Sequence, residues 1–360
     1  MDYNGYRRKT APIRVGNITV GGTAPVSIQS MTNTDTHDLA ATREQVRALS
    51  LAGCDIVRIT APDLESVKTF RALKAEGVSV PLVADIHFDY KIAVAVAPFV
   101  DKIRINPGNI GGKEKIREVV RACKEYSVPI RIGVNSGSLE REILKKYGVP
   151  TPEALAESAL YHAALLEELD FHDIAISVKA SSTVNMIAAN RILAKETDYP
   201  LHLGVTEAGF GTSAIVKSSI GIGTLLAEGI GDTVRVSLTD DPVREVEAAR
   251  GILGALGLYD GGMNIISCPT CGRTKIDLIS LASEFERRAK AEGIDKQKIT
   301  VALMGCVVNG PGEAREADVG IAGGIGEGLV FRRGEIVCKV PEDKLIDRLI
   351  EEIKTMKGIG

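Results

Sequence analysis

The 360-residue chain has no apolar run near the roughly 18 residues a membrane-spanning helix needs, so no transmembrane segment is expected. Neither charge dominates. Lys and Arg number 44 against 47 Asp and Glu, a net charge of −3, so there is no global attraction to nucleic acid or to an anionic membrane. Such a balance still leaves room for a local basic pocket. The first ten residues, MDYNGYRRKT, lack the apolar stretch of a secretory leader, and a cytoplasmic protein is expected. Low-complexity tracts and long repeats are missing. Disulfides are not expected either: Cys54, Cys123, Cys268, Cys271, Cys306 and Cys338 sit in a large chain whose compartment keeps thiols reduced. With 44% hydrophobic and 25% charged residues, the chain can bury a sizeable core. Its length suits about two domains of roughly 150 residues.

An opening hairpin is expected at IRVGNITVGG, where Gly16-Asn17 separates two β-branched runs. Short apolar strands then recur at 25–31, 55–60, 80–88, 100–106, 128–135, 173–179, 200–206 and 232–239, each followed by a helical pattern. Eight β-α units over residues 1–260 predict a (β/α)8 TIM barrel rather than a doubly wound open sheet. Thr151-Pro152 and Asp241-Pro242 each place a capping side chain before a proline, as helix starts do. The Gly-rich LYDGGMN (258–264) reads as a domain boundary. Residues 261–360 then read as a small α+β domain, with a helix near 275–292, two strand-like runs and a final helix from about 341.

Catalytic groups of TIM barrels project from the C-terminal strand ends. Those positions hold Gln29, Arg58, Asp85, His87, Arg104, Asn106, Arg131, Asn135, Ser177, Lys179, Thr206, Glu207, Arg235 and Ser237. A core built for stability alone would carry Val, Ile and Leu there. Arginines and a lysine converging on one mouth are costly without an anion, and the guanidinium fork matches phosphate or carboxylate. Structural ion pairs with Asp85 or Glu207 are the bland alternative for any single arginine. The Gly- and Ser-rich EAGFGTSAIVKSSIGIG (207–223) reads as a loop able to cradle phosphate. Lys179 suits phosphate binding, with a Schiff-base role as the rival. His37, His162, His172 and His202 show no partner pattern.

The C-terminal segment contains Cys268-Pro-Thr-Cys271 and, later, Met304-Gly-Cys306-Val-Val-Asn-Gly-Pro-Gly-Glu313. A C-x-x-C pair with a third cysteine in a Gly-Pro turn points to a metal-coordination site rather than to chance pairing. Zinc would take Cys338 as the fourth ligand; an iron–sulfur cluster could take Glu313, which shares a loop with Cys306. Spacing leaves that choice open. Cys338, alternating between Ile336 and Val340, reads as a buried structural thiol, and Cys54 and Cys123 as core residues.

SCPTCGRT, MGCVVNGPGEAREADVGIAGG and SIQSMTNTDT resemble segments of the 4-hydroxy-3-methylbut-2-enyl diphosphate synthases, iron–sulfur reductases of the non-mevalonate isoprenoid pathway. The similarity covers essentially the whole chain, in the compact two-domain bacterial form. It implies a [4Fe–4S] cluster on Cys268, Cys271, Cys306 and Glu313. It further implies reductive opening of 2-C-methyl-D-erythritol 2,4-cyclodiphosphate, with two electrons from ferredoxin or flavodoxin. Arg58, Arg104, Arg131 and Lys179 would grip the diphosphate, Asn135 and Ser237 would assist, and Glu207 would protonate the departing hydroxyl. Asp85 and His87 match active-site positions. A homodimer is implied, in which the cluster domain of one chain covers the barrel mouth of the other. Two other readings are a Schiff-base aldolase or isomerase of a phosphorylated sugar with a structural zinc domain, and a non-enzymatic electron carrier.

Overall fold

In a computed structural model, residues 6–259, 261–306 and 316–359 are described. The chain divides between Leu258 and Tyr259 into two compact units. The first opens with a hairpin, β1 (Ile13–Val15) and β2 (Ile18–Val20), turning at Gly16 with φ +57°. Eight parallel strands follow: β3 (Ser27–Met31), β4 (Ile56–Thr60), β5 (Leu82–Ile86), β6 (Lys102–Ile105), β7 (Ile130–Asn135), β8 (Ile174–Lys179), β9 (His202–Leu203) and β10 (Thr233–Val234). Each pairs with its sequence neighbour except β8 and β9, joined by a single parallel bridge, Ile176 to Leu201; β10 returns to β3, which completes the barrel. Hairpin residues Ile13, Val15 and Val20 pack on Ile56, Val83 and Ala175, inward-facing residues at the strands' N-terminal halves.

Helices cover the outside. Asp38 caps Leu39–Leu51, Thr151 caps Pro152–Glu167 and Asp241 caps Pro242–Ala255, each side chain accepting a backbone N–H from the first turn. Among the described residues, no helix is long and apolar enough to cross a membrane.

Two expectations change. β9 and β10 are shorter than their apolar runs; past the end of β10 the Leu238 N–H is taken by the Glu245 carboxylate at 3.1 Å rather than by a strand. The Gly- and Ser-rich stretch expected as a phosphate loop is helix from Gly211 to Ala227. Its buried residues Ala214, Ser218, Ile222 and Leu225 recur at helical spacing, so packing against the barrel overrides weak helix propensity.

The second unit is a five-stranded mixed sheet in sequence order: β11 (Met263–Ser267), β12 (Ile299–Met304) and β13 (Val319–Gly323) are parallel, while β14 (Glu327–Arg332) and β15 (Glu335–Pro341) are antiparallel. Helices Leu278–Ala291 and Leu345–Lys357 bury Phe285, Leu349 and Ile353 against Leu303, Val319 and Ile321.

Candidate active site

At the C-terminal ends of the barrel strands lies a cavity of 220 Å³ to which every strand or its following loop contributes. Arg58, Asp85, Arg104, Arg131, Lys179 and Arg235 dominate its lining, and Asn135, Ser177, Thr206 and Ser237 add uncharged polar groups. His87 joins from the loop after β5, with its imidazole exposed. A larger groove of 990 Å³ runs outside the barrel beside helices Arg141–Tyr147 and Pro152–Glu167. It is mainly apolar with a fringe of glutamates, and none of the strand-end groups reaches it. The titratable strand-end groups gather at the smaller cavity.

Its charges are unevenly matched. Arg104 donates to Asp85 at 3.0 Å and to the Gly133 carbonyl at 3.3 Å; Arg58 stands 3.6 Å from the other Asp85 oxygen. Burial disfavours the Asp85 carboxylate, but Arg58 and Arg104, with His87 and Arg131 behind them, outweigh it and hold the group well below the usual carboxylate range. The Arg58 guanidinium also lies 2.9 Å from the Met31 sulfur. Arg235 is held by Glu245 through bonds of 3.2 and 3.0 Å, and Ser30 braces that carboxylate at 2.8 Å. Among the described residues, five cations therefore face two carboxylates. Arg131 is 1% exposed, yet its Nε and Nη2 have no partner. Burial and the neighbouring arginines push the pKa values of Arg131 and Lys179 well below their ordinary values, and Arg58 falls to about 10 for the same reasons. Surplus buried positive charge with free donors is the arrangement that a multiply charged anion relieves.

Two glycines make the room. A Cβ on Gly133 would fall 2.2 Å from Arg104 Nε, and one on Gly204 would fall 2.8 Å from Lys179 Nζ and 2.6 Å from the Arg235 carbonyl. The guanidinium and ammonium groups occupy space that any other residue would fill.

Not all expected residues converge here. Gln29 and Asn106 are buried but do not line the cavity, and Asn106 Oδ1 accepts the Gly108 N–H. Glu207 stands outside it, exposed, in the loop after β9, with its backbone at φ +52°. A glutamate in the left-handed region is strained, a condition that clusters at functional loops. Met31, Gly133, Gly204 and Glu245 were not singled out from sequence. Strand parity reaches the first three, but Glu245 is brought in from a helix by the fold.

In the second unit, parallel pairing sets Ser267 opposite Leu303, so Cys268 and Cys306 emerge at the same end of adjacent strands. The Gly305 N–H points at Cys268 Sγ at 3.2 Å, and Lys275 N–H donates to the Gly305 carbonyl at 2.9 Å, tying the two loops together. Cys271 is exposed, and hydrogen bonds from Arg273 with its positive charge lower its pKa. A thiolate favoured by N–H donors and a cation, as at Cys271, suits a soft, electron-rich metal centre. Among the described residues, no three His, Cys, Asp or Glu side chains already form a metal-holding group. Glu313 lies outside the described residues. Cys338 is partly buried rather than fully so, and sits on β15 at the opposite edge of the sheet from β11. Four inter-strand steps of about 4.8 Å put it roughly 19 Å from that side, too far to complete a site there.

Comparison with known proteins agrees with this division. The GcpE TIM-barrel domain family matches residues 10–250, and the GcpE protein C-terminal domain matches 264–355. A 4-hydroxy-3-methylbut-2-en-1-yl diphosphate synthase (flavodoxin) of Clostridium perfringens is 58% identical over 351 residues, 97% of this chain and 99% of that one. A synthase of the same name from Geobacter sulfurreducens is 58% identical over 349 residues, covering 97% and 98%. Among solved structures, a type I 3-dehydroquinate dehydratase from Clostridium difficile superposes with a TM-score of 0.51 at 15% identity over 69% of this chain and 98% of that one, which speaks to the barrel fold alone. Matched in both domains, in order and along nearly its whole length, the chain belongs to the GcpE family.

Proposed function

We propose that the protein carries out the reductive ring opening and dehydroxylation of 2-C-methyl-D-erythritol 2,4-cyclodiphosphate to 4-hydroxy-3-methylbut-2-enyl diphosphate. The observation that carries this reading is the barrel mouth, where, among the described residues, five cations face two carboxylates and Arg131 has unpartnered donors. A cyclic diphosphate supplies the missing negative charge. Arg58, Arg104, Arg131 and Lys179 hold its phosphates, and Asn135 and Ser237 add neutral hydrogen bonds that fix its orientation. Asp85 keeps Arg58 and Arg104 in place, and its low pKa makes it a fixed negative post rather than a proton donor near neutral pH. His87, exposed on the rim, and Glu207 in the strained loop after β9 are the groups able to bring protons from solvent; Glu207 protonates the departing hydroxyl.

Residues 1–260 are the substrate domain, and 261–360 hold a [4Fe–4S] cluster on Cys268, Cys271, Cys306 and Glu313. Those side chains would hold the cluster, which would supply reducing electrons and Lewis acidity there. Flavodoxin, which appears in the names of the related synthases, or ferredoxin is the donor. The protein works as a homodimer in the cytoplasm; Phe88 and Phe210, 71% and 77% exposed in the loops after β5 and β9, are apolar surface that a second copy covers.

Anaerobic purification tests the centre. The expected protein is brown, with about four iron and four sulfide per chain. Serine at Cys268, Cys271 or Cys306 removes the cluster, while serine at Cys54, Cys123 or Cys338 leaves it intact. Stoichiometric zinc without sulfide overturns the assignment, and loss of metal in Cys338→Ser alone overturns Glu313 as the fourth ligand.

A further inference from the structure

Below the mouth, the barrel interior stays polar for one more level. Lys102 lies two residues before Arg104 on β6, on the same face of the strand, and is 1% exposed. Burial and the charges of Arg131 on β7 and Arg58 on β4 act on it, and all three disfavour its ammonium form; among the described residues no carboxylate opposes them. Asp85, on the adjoining β5, is committed to Arg58 and Arg104. His202 on β9 is buried with both ring nitrogens unpartnered, and burial together with Arg131, Lys179, Lys102 and Arg58 keeps it neutral. Gln29 on β3 leaves both amide atoms unpartnered, and Arg131 leaves two of its nitrogens so. Nothing described above uses Lys102. A long amine sealed in a barrel without a counter-charge is a poor structural choice where leucine would pack.

We propose that Lys102 is a positioning residue for the anion in the mouth, acting through Arg131, and that an arriving diphosphate draws a proton from solvent onto its Nζ. The inference rests on the reading of the mouth as a diphosphate site. With the mouth empty, cations outnumber carboxylates above the amine, and burial with the charges of Arg131 and Arg58 disfavours its ammonium form. A bound phosphate reverses the local field. One negative charge at about 7 Å, in an effective dielectric near 20, raises the proton affinity of an amine roughly fiftyfold. The proton comes from water and no other bond changes. The new ammonium then sits behind Arg131 and strengthens the grip on the ligand, so the floor becomes positive only when the mouth is occupied. Anion affinity and proton uptake are thereby linked, and each must promote the other.

The test uses the full-length, anaerobically purified, metal-loaded protein and inorganic pyrophosphate as the probe. Calorimetric titration at pH 8 in two buffers of different ionisation enthalpy counts the protons taken up on binding, in the wild type, Lys102→Met and Lys102→Gln. The expected result is lower proton uptake in both variants, affinity weakened about tenfold, and melting temperatures no lower than wild type, since a buried unpaired amine has gone. Between pH 7 and 9 the wild-type affinity should fall more steeply than that of the variants. Unchanged uptake and affinity in the variants overturn the proposal, as does lost stability with normal binding. If neither variant folds, Lys179→Met decides the matter: uptake that persists there supports Lys102, and uptake that vanishes assigns the proton to Lys179 instead. A wild type that does not bind pyrophosphate refutes the diphosphate reading itself, a result distinct from normal binding without proton uptake.

Discussion

Gly133→Ala separates the site from the scaffold. The added methyl carbon would lie 2.2 Å from Arg104 Nε and 2.8 Å from Cζ and Nη2. A comfortable carbon–nitrogen contact is about 3.5 Å, so the guanidinium must retreat by roughly 1.3 Å. The clash is with the far end of a flexible side chain, so β7 and the barrel need not move. The retreat stretches the 3.0 Å bond from Arg104 to Asp85 beyond hydrogen-bond range and breaks the 3.3 Å bond to the Gly133 carbonyl. Losing one charge-assisted contact costs about 1.5–3 kcal/mol, a factor of roughly 10 to 150 in affinity. Asp85 would then depend on Arg58 alone, at 3.6 Å. The sign of the pH effect follows. Asp85 is held below its unfolded value, so its pairing stabilises the fold above the ordinary carboxylate pKa, and this is lost as pH falls through the folded value. The variant should therefore lose stability mainly at neutral pH and converge on wild type in acid. Calorimetric titration with pyrophosphate near neutral pH and melting curves carried from neutral pH into strong acid, below the ordinary carboxylate range, measure both effects. Wild-type affinity with an unchanged pH–stability profile would show that Arg104 neither grips the ligand nor pairs usefully with Asp85.

Two further outcomes are expected. Glu207→Gln should keep the cluster and bind pyrophosphate normally, while anaerobic turnover with excess reductant slows at least about a hundredfold; near-normal turnover removes Glu207 from the mechanism. In metal-free protein at pH 8, alkylation followed by mass spectrometry should label exposed Cys271 first, because Arg273 favours its thiolate, whereas Cys54 and Cys123, which burial pushes up to about 12, should react only on unfolding; rapid labelling of Cys54 would contradict its placement.

Much of the barrel is legible in the sequence because parallel strands buried on both faces read as short apolar runs. The polar residues that interrupt those runs, such as Arg131 and Asn135 in VPIRIGVN, mark the inner face by parity. Legibility ends where a long-range partner decides the structure. Glu245 takes the Leu238 N–H past the end of β10, and burial turns a Gly- and Ser-rich stretch into helix Gly211–Ala227. Cys338 illustrates the same limit: spacing leaves it available to a metal, and only the order of strands in the sheet sets it at the far edge. Lys102 was within reach, since KIRI shows a second cation on the face of Arg104, but nothing local reveals that it lacks a carboxylate.

The hairpin β1–β2 acts as a stopper. With Ile13, Val15 and Val20 seated on Ile56, Val83 and Ala175, an apolar plug backs the N-terminal end of the barrel. Field lines from the surplus cations cannot spread through that plug and leave by the mouth, so a protein of net charge −3 presents a positive beam to an approaching anion. At physiological salt the beam reaches about 8 Å beyond the rim, which makes capture of a diphosphate faster in dilute buffer than in concentrated salt. With that end plugged by apolar side chains, whatever fills the mouth also hinders the exchange of water and protons with the polar interior.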